Sequence, residues 1–274
     1  MMNNDILYIN TLHLADDALI LGQRNSEWTG HGPVLEQDIA ITNIALDLLG
    51  QARNFYQYAV LLYNSMLEKE KKKVDRYIPV PWKKYNRELN EDDLAFLRQE
   101  NQYLNCLLVE LPNGDWGKTI LRQFFFSSYQ FFLYQQIQKN SEAQLAAIAE
   151  KSLKEISYHV RWSSEWVVRL GDGTEESNER IKKSVDELWP FTGELFQPSG
   201  YELLAAKQGF SVDIALIKES WLQKVTEVLT EATLSVPSSE WMQSGGKEGK
   251  HTEHLGYILS EMQHLQRTYP DSTW

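Results

Sequence analysis

The chain has 274 residues, a length that supports a large hydrophobic core without help from disulfides or metal ions. Its formal net charge of −11 argues against a nucleic-acid partner, because phosphate binding requires clustered lysine and arginine. The single cysteine, Cys106, lies in an apolar run and predicts a buried structural thiol in a reducing cytoplasm. The first residues lack the basic start, apolar stretch and cleavage site of a secretory signal, and no segment has the roughly 20 apolar residues of a membrane span, so we expect a cytoplasmic protein with no membrane partner.

The predicted elements are all helices, because no segment shows the alternation of a strand or the signal of a two-residue hairpin. Prolines, glycines and capping residues set the boundaries between them. In chain order the predicted helices cover residues 6–27, 33–67, 90–111, 116–139, 141–170, 175–196, a short segment ending at 209, 212–235, and a last one from the Gly-rich loop 244–250 to before Pro270.

The lengths and order of these helices predict an all-α fold. The first helix should pair antiparallel with the second, and the fourth with the fifth, which is how a ferritin-like helical bundle is built. The other helices are additions to that bundle. We therefore expect a single domain over residues 1–274, with an exposed basic connection at about residues 69–90, where lysines and two prolines interrupt the helical pattern.

The second helix carries one apolar stripe that must face the core. Its members recur at three- and four-residue steps and are Ile41, Ile44, Leu48, Gln51, Phe55 and Tyr58. A di-iron bundle places an inward glutamate and histidine three residues apart on such a helix. Here Leu48 and Gln51 occupy these two positions, so the metal ligands are absent.

The fifth helix shows a similar pair, Ile156 and His159, on its inward stripe. The position expected for a glutamate is again apolar. Glu155 is adjacent, but it lies about 100° around the helix and is expected to face elsewhere. A single inward histidine is more often a hydrogen-bonded core residue than a ligand, so we interpret His159 in that way.

Two further patterns are candidates for chemistry near the C-terminus. Glu261 and His264 form an intact Glu-x-x-His pair on the last predicted helix, but a solvated helix face or a contact between subunits is the simpler interpretation. The loop 244–250 offers backbone amides with Lys247 and Lys250 ahead of a helix, as an anion site would. It lacks the full phosphate-loop pattern, and a flexible connection is the simpler interpretation.

Six long motifs occur in order along essentially the whole chain: S-E-W-T-G-H-G-P-V-L-E (26–36), N-I-A-L-D-L-L-G-Q-A-R-N-F (43–55), L-L-V-E-L-P-N-G-D (107–115), K-E-I-S-Y-H-V-R (154–161), E-A-T-L-S-V-P (231–237) and G-G-K-E-G-K-H-T-E-H-L-G (245–256). Together they resemble the C subunits of bacterial phenylacetyl-CoA 1,2-epoxidases. The stretch from about 63 to 91 is longer and more basic than in that family.

The resemblance implies a function within a complex. In that family, a multicomponent monooxygenase converts phenylacetyl-CoA to its 1,2-epoxide during aerobic phenylacetate degradation. The A subunit is ferritin-like and holds the di-iron centre and the substrate site, and the C subunit is its related structural partner. A small B subunit and a reductase with flavin and an iron–sulfur cluster complete the system.

The resemblance also gives meaning to the missing ligands. Catalytic subunits carry Asp-Glu-x-Gly-His and Lys-Glu-Glu-x-x-His where this chain has residues 47–51 and 154–159. Asp47, Gly50, Glu155 and His159 agree with those patterns, whereas the ligand positions occupied by Leu48, Gln51 and Ile156 do not. The resemblance therefore implies a vestigial metal site at Leu48, Gln51, Ile156 and His159, and no catalytic, cofactor-binding or metal residue in this chain.

We therefore predict a non-catalytic subunit that packs on a di-iron oxygenase subunit, through the second helix and the C-terminal segment. Two alternatives from other classes stay open. The first is an independent di-iron or other metal-dependent oxidoreductase centred on Glu261 and His264. The second is a binding module that holds an anionic CoA thioester through Lys247 and Lys250.

Overall fold

The structure is a computed structural model that describes residues 4–272. Within that range the chain forms twelve α-helices and no β-strand, which confirms the all-α prediction. The four long helices are α1 (Asn4–Ser26), α2 (Leu35–Ser65), α6 (Trp116–Ile137) and α7 (Ala143–Gly171). The shorter ones are α3 (Glu68–Val74), α4 (Glu91–Phe96), α5 (Leu107–Glu110), α8 (Glu175–Leu188), α9 (Gly200–Lys207), α10 (Lys218–Glu231), α11 (Glu253–Met262) and α12 (His264–Thr268).

The four long helices form a ferritin-like bundle, as the sequence predicts. Helix α1 packs along α2 after the turn at residues 27–34, and α6 packs along α7 after the turn at residues 138–142. Helix α2 also contacts α7, and one long connection over residues 66–115 links the two antiparallel pairs. Two helical pairs joined by one long crossover define this type of bundle. Among residues 4–272, every helix is too short or too polar to cross a lipid bilayer.

Helix α1 is the most enclosed element of the bundle. Nineteen of its 23 residues are buried, and α2, α3, α5, α9 and α11 all contact it. Several of the buried side chains are polar or charged: Asp5, Asn10, Thr11, His13, Asp16, Asp17, Arg24 and Asn25. Buried groups of this kind require hydrogen-bond partners. Distant segments of the chain supply many of those partners.

The prediction of one continuous third helix from about residue 90 to Pro112 is wrong, because the middle of this range is not α-helical. A helix does start near residue 90 as expected, and Asn90 caps this helix, α4, since its side chain accepts a hydrogen bond from the Asp93 amide at 2.9 Å. The helix nevertheless ends at Phe96, and the chain crosses α1 before α5 begins. Side-chain oxygens of α1 accept hydrogen bonds from amides of this crossing segment, so the amides do not need partners within a helix.

The basic connection at residues 69–90 is not uniformly exposed. Its lysines lie on the surface, as predicted, but Glu68–Val74 forms α3, and the side chains of Val74, Tyr77 and Ile78 are buried against the core. The sequence did not predict this helix or the buried side chains, because a single short apolar cluster after a run of charged residues shows no helical periodicity.

Candidate functional site

Helices α2 and α7 pack against each other along a contact that we call the α2–α7 seam. The inner face of this seam is apolar where a di-iron bundle would place carboxylates. Leu48 on α2 and Ile156 on α7 are both completely buried and belong to the main hydrophobic core. Gln51 and His159 are buried beside them. The four positions that the sequence singled out therefore face inward, and at two of them hydrocarbon fills the volume.

Two polar pairs cross the seam next to these residues. The Gln51 side-chain amide donates to a Glu155 carboxylate oxygen at 2.9 Å, and His159 Nε2 lies 3.0 Å from Asp47 Oδ2. The expectation that Glu155 faces elsewhere is wrong, because the long Gln51 side chain reaches toward the edge of the seam where Glu155 lies. Asp47 sits at that edge with its side chain 35% exposed. At the rim of the seam, Glu155 is thus the hydrogen-bond partner of Gln51, and Asp47 is that of His159.

The remaining polar atoms do not compose a metal site. Within residues 4–272, His159 Nδ1 and Gln51 Oε1 are buried without a hydrogen-bond partner. A di-iron centre requires several anionic carboxylates around two cations. The described part of the chain contains no group of three or more histidine, cysteine, aspartate or glutamate residues placed to hold one ion. The residues present between α2 and α7 therefore do not fit a di-iron group.

The other pair that the sequence suggested for metal binding, Glu261 and His264, does not form a site either. Glu261 and His264 are exposed, and Gln263 separates α11 from α12 between them. The Glu-x-x-His spacing places two side chains together only on a continuous helix. Because the helix is interrupted here, the two residues do not form an inward half-site.

The Gly-rich loop is packed against the core. A Cβ at Gly246 would lie 2.3 Å from the Asn105 carbonyl oxygen, and one at Gly249 would lie 2.5 Å from that of Asn101. These glycines allow two stretches of backbone to touch. Lys247 is buried, and its ammonium lies 3.1 Å from Glu202, so an anion site there would first have to break this pair. Lys250 is exposed and pairs with Glu248 at 3.6 Å.

Sequence reasoning missed a network of buried charges around α1. Arg98 forms a bidentate ion pair with Asp16, and both side chains are 0% exposed. Tyr56 on α2 donates to Asp16 at 2.5 Å, and the Leu104 amide donates to the same carboxylate at 2.8 Å. The adjacent acidic residues Asp16 and Asp17, which interrupt the apolar stretch from Leu14 to Leu21, were the available signal. Charged residues are rarely buried unless they are paired.

A second part of the network joins α1 to the C-terminal third of the chain. Asp17 accepts a hydrogen bond from the Cys106 amide at 2.8 Å, and burial raises the pKa of its carboxyl. His13 Nε2 lies 3.5 Å from Glu202, which accepts from Lys247. Burial opposes the charge of Glu202, but Lys247 and His13 outweigh it and lower its pKa. Cys106 is a buried free thiol whose pKa is raised by burial, as expected of a structural cysteine.

The fold and the seam together define a class: a ferritin-like bundle with buried apolar residues between α2 and α7. The chain belongs to the phenylacetic acid catabolic protein family, whose model matches residues 3–274. It is 42% identical over 264 residues to the C subunit of 1,2-phenylacetyl-CoA epoxidase from Escherichia coli (strain K12), covering 96% of this chain and 97% of that protein. These findings confirm the resemblance that the six sequence motifs indicated.

A solved structure of a bacterial protein also aligns with much of the chain. It is described as Protein 19 with aldehyde deformylating oxidase activity from Synechococcus, and the alignment covers 85% of this chain and 88% of that one. The TM-score is 0.45 and the sequence identity is 13%.

Proposed function

We propose that this chain is a non-catalytic structural subunit of a multicomponent di-iron phenylacetyl-CoA monooxygenase, in which it pairs with and stabilises the catalytic A subunit. In this proposal the A subunit holds the di-iron centre, and a small B subunit and a reductase with flavin and an iron–sulfur cluster complete the system in the cytoplasm. Support comes from the 42% identical relative, which is named as the C subunit of such an epoxidase.

The observation that carries the proposal is the pair of buried hydrocarbon side chains, Leu48 and Ile156, at ligand positions. Neither residue has a lone pair to donate to a metal or a charge to balance one. A carboxylate buried there without a metal would be costly, whereas leucine and isoleucine gain from burial. The seam is therefore suited to holding the two halves of the bundle together, and the chemistry is assigned to a partner.

The outer face of α2 is the surface that we assign to pairing with the A subunit. Leu35 is 72% exposed and Leu46 60% exposed, and Ile39 and Leu61 are also exposed. Their spacing places them on one side of the helix, opposite the buried stripe that includes Leu48. Four exposed aliphatic side chains on the side of a helix that faces away from the core fit a contact with a second folded chain, because aliphatic side chains gain from leaving water.

The test is co-purification with the family's A subunit from the same organism. We expect this chain alone to bind no stoichiometric iron and to have no epoxidase activity, and to raise the activity of the A subunit through a stable complex. The double variant Leu35→Glu/Leu46→Glu should weaken that complex at least about tenfold, roughly 1.4 kcal/mol, since it places charges in the apolar contact. Leu216→Glu, at an exposed leucine far from α2 in sequence, is the matched control and should bind normally.

Two results would contradict parts of this proposal separately. Stoichiometric iron in the isolated chain that is lost in His159→Ala would overturn the non-catalytic assignment. A complex that forms equally well with the double variant and with Leu216→Glu would leave the structural role intact and overturn the assignment of α2 as the pairing surface.

A further inference from the structure

His251 joins the Gly-rich loop to α11, and its side chain is 0% exposed. Both ring nitrogens lie within hydrogen-bond distance of an oxygen. Nδ1 is 2.8 Å from Glu110 Oε2, and Nε2 is 3.0 Å from the backbone carbonyl oxygen of Tyr103. The ring is therefore held from both ends by acceptors.

The acceptors determine the protonation state of the ring. Glu110 also accepts from the Thr252 amide at 2.6 Å and from the Asn105 side-chain amide at 2.8 Å. These two amide donors favour the ionised form of the Glu110 carboxyl group, and a carbonyl oxygen never donates. A neutral imidazole has one N–H, so either tautomer of His251 would set a nitrogen lone pair against an oxygen. Both contacts are favourable only when the ring carries two protons.

The charges around the ring favour that cationic form. Burial disfavours it, but the hydrogen bond and negative charge of Glu110 outweigh burial, so the pKa of His251 is raised above its ordinary value of 6.5. Asp16 adds a second, more distant negative charge, and Arg98 is paired with it. Arg24 donates to the backbone carbonyl of Glu110 at 2.8 Å, on the α1 side of the cluster.

The same cluster holds the C-terminal segment, which we define as residues 251–272. The Thr252 amide and the His251 ring both bind Glu110, so one carboxylate fixes the start of α11. Farther along, the Gln263 side-chain amide donates to the Arg98 carbonyl at 2.9 Å and to the Tyr103 hydroxyl at 3.0 Å. Apart from the ring contacts, two hydrogen bonds hold the start of α11: the Thr252 amide donates to Glu110 at 2.6 Å, and Arg24 donates to the His254 carbonyl oxygen at 3.4 Å.

We propose that His251 is a buried imidazolium that fixes the C-terminal segment to the core, so that the segment loosens when the ring loses its proton. This device does not depend on the pairing surface of α2. The attachment is complete below the ordinary pKa of histidine and weakens as the pH rises through the raised pKa of the folded state. The segment exposes Tyr257 and Leu265, so its position also sets where these apolar side chains are presented.

The first measurement is the titration of the histidine rings in the full chain by ¹³C-histidine NMR. The chain has six histidines, and the His251 signal is assigned by its absence in His251→Gln. We expect this ring to keep its protonated chemical shift above pH 6.5, the ordinary pKa of histidine. The proposal is overturned if the His251 signal titrates at pH 6.5 or below.

The second measurement is hydrogen exchange over α11 and α12, with wild type and variant compared at the same pH so that intrinsic exchange rates cancel. Near pH 6, His251→Gln should exchange at least about tenfold faster than wild type, and the ratio should approach one as the pH rises through the raised pKa. His264→Gln, in the same segment, is the matched control and should exchange as wild type does.

A ratio that does not change with pH overturns the proposal, since it would show a contact without a titrating charge. Glu110→Gln is the second variant, and it should lower the pH at which the His251 ring titrates. If neither variant folds, the wild-type spectrum still tests the proposal, because a ring held between two acceptors must stay protonated above the ordinary pKa of histidine. Six rings that all titrate at or below the ordinary value overturn the proposal.

Discussion

The α2–α7 seam and the surroundings of α1 bury polar side chains in the same bundle by different means. At the seam the innermost positions are Leu48 and Ile156, and the carboxylate of Asp47 lies at the rim. Around α1, Asp16 is completely buried but is bound by Arg98 and by a backbone amide. The difference shows that a buried carboxylate is tolerated where the chain itself provides a fixed counter-charge. At the innermost positions of the seam the chain instead has the hydrocarbon side chains of Leu48 and Ile156.

Removing a carboxylate from each region should give the largest contrast. Asp16→Ala leaves Arg98 as an uncompensated buried charge and takes a partner from the Leu104 amide, so we expect a loss of about 3–5 kcal/mol in the free energy of unfolding. Asp47→Ala removes a carboxylate that is already partly solvated, and it should cost about 1 kcal/mol or less. Chemical denaturation of both variants measures the difference. Equal losses would show that burial and pairing do not distinguish the two regions.

Placing a carboxylate back into the seam should be the next largest effect. Leu48→Glu gives up about 1.5–3 kcal/mol of leucine burial and adds an unpaired acid, so the total loss of stability should be on the order of 3 kcal/mol or more. Leu48→Met is the control and should cost less than about 1.5 kcal/mol, because it nearly conserves volume. Thermal unfolding with and without ferrous iron tests the interpretation. Recovery of the Leu48→Glu variant by iron would mean that the seam still accommodates a metal.

A smaller, pH-dependent effect should separate the buried and exposed charges of the C-terminal third. The pKa of Glu202 is lowered in the fold, so its charge stabilises the protein above its ordinary pKa of 4.5, and that contribution is lost as the pH falls through the lower folded value. Glu202→Gln should therefore cost about 1.5–3 kcal/mol near pH 7, and the cost should shrink in acid.

Glu248→Gln is the matched control for this prediction, because Glu248 belongs to the packed loop but pairs with Lys250 at the surface. Its unfolding free energy should stay close to that of wild type across the same pH range. A difference between Glu202→Gln and wild type that is constant from neutral to acidic pH would contradict the assigned role of the Glu202 charge.

Periodicity and capping were sufficient to predict the bundle and the four positions at its seam. The stripe containing Leu48 and Gln51 is buried as predicted, and Asn90 caps α4, because these features depend on residues within one helix. The contact between Gln51 and Glu155 was missed, since it joins residues 104 positions apart and depends on how closely α2 approaches α7. Local sequence spacing carries no information about that distance.

The sequence by itself determined the all-α fold, the order of its long helices and the absence of carboxylates at Leu48 and Ile156, because side-chain identity and helical period are local properties. Only the tertiary structure decided which charged residues are exposed and which are paired in the core. Lys247 is a buried partner of Glu202, and His251 binds Glu110 from 141 positions away in the chain. Whether a charge is exposed or paired in the core depends on which distant groups surround it, and folding alone brings those groups together.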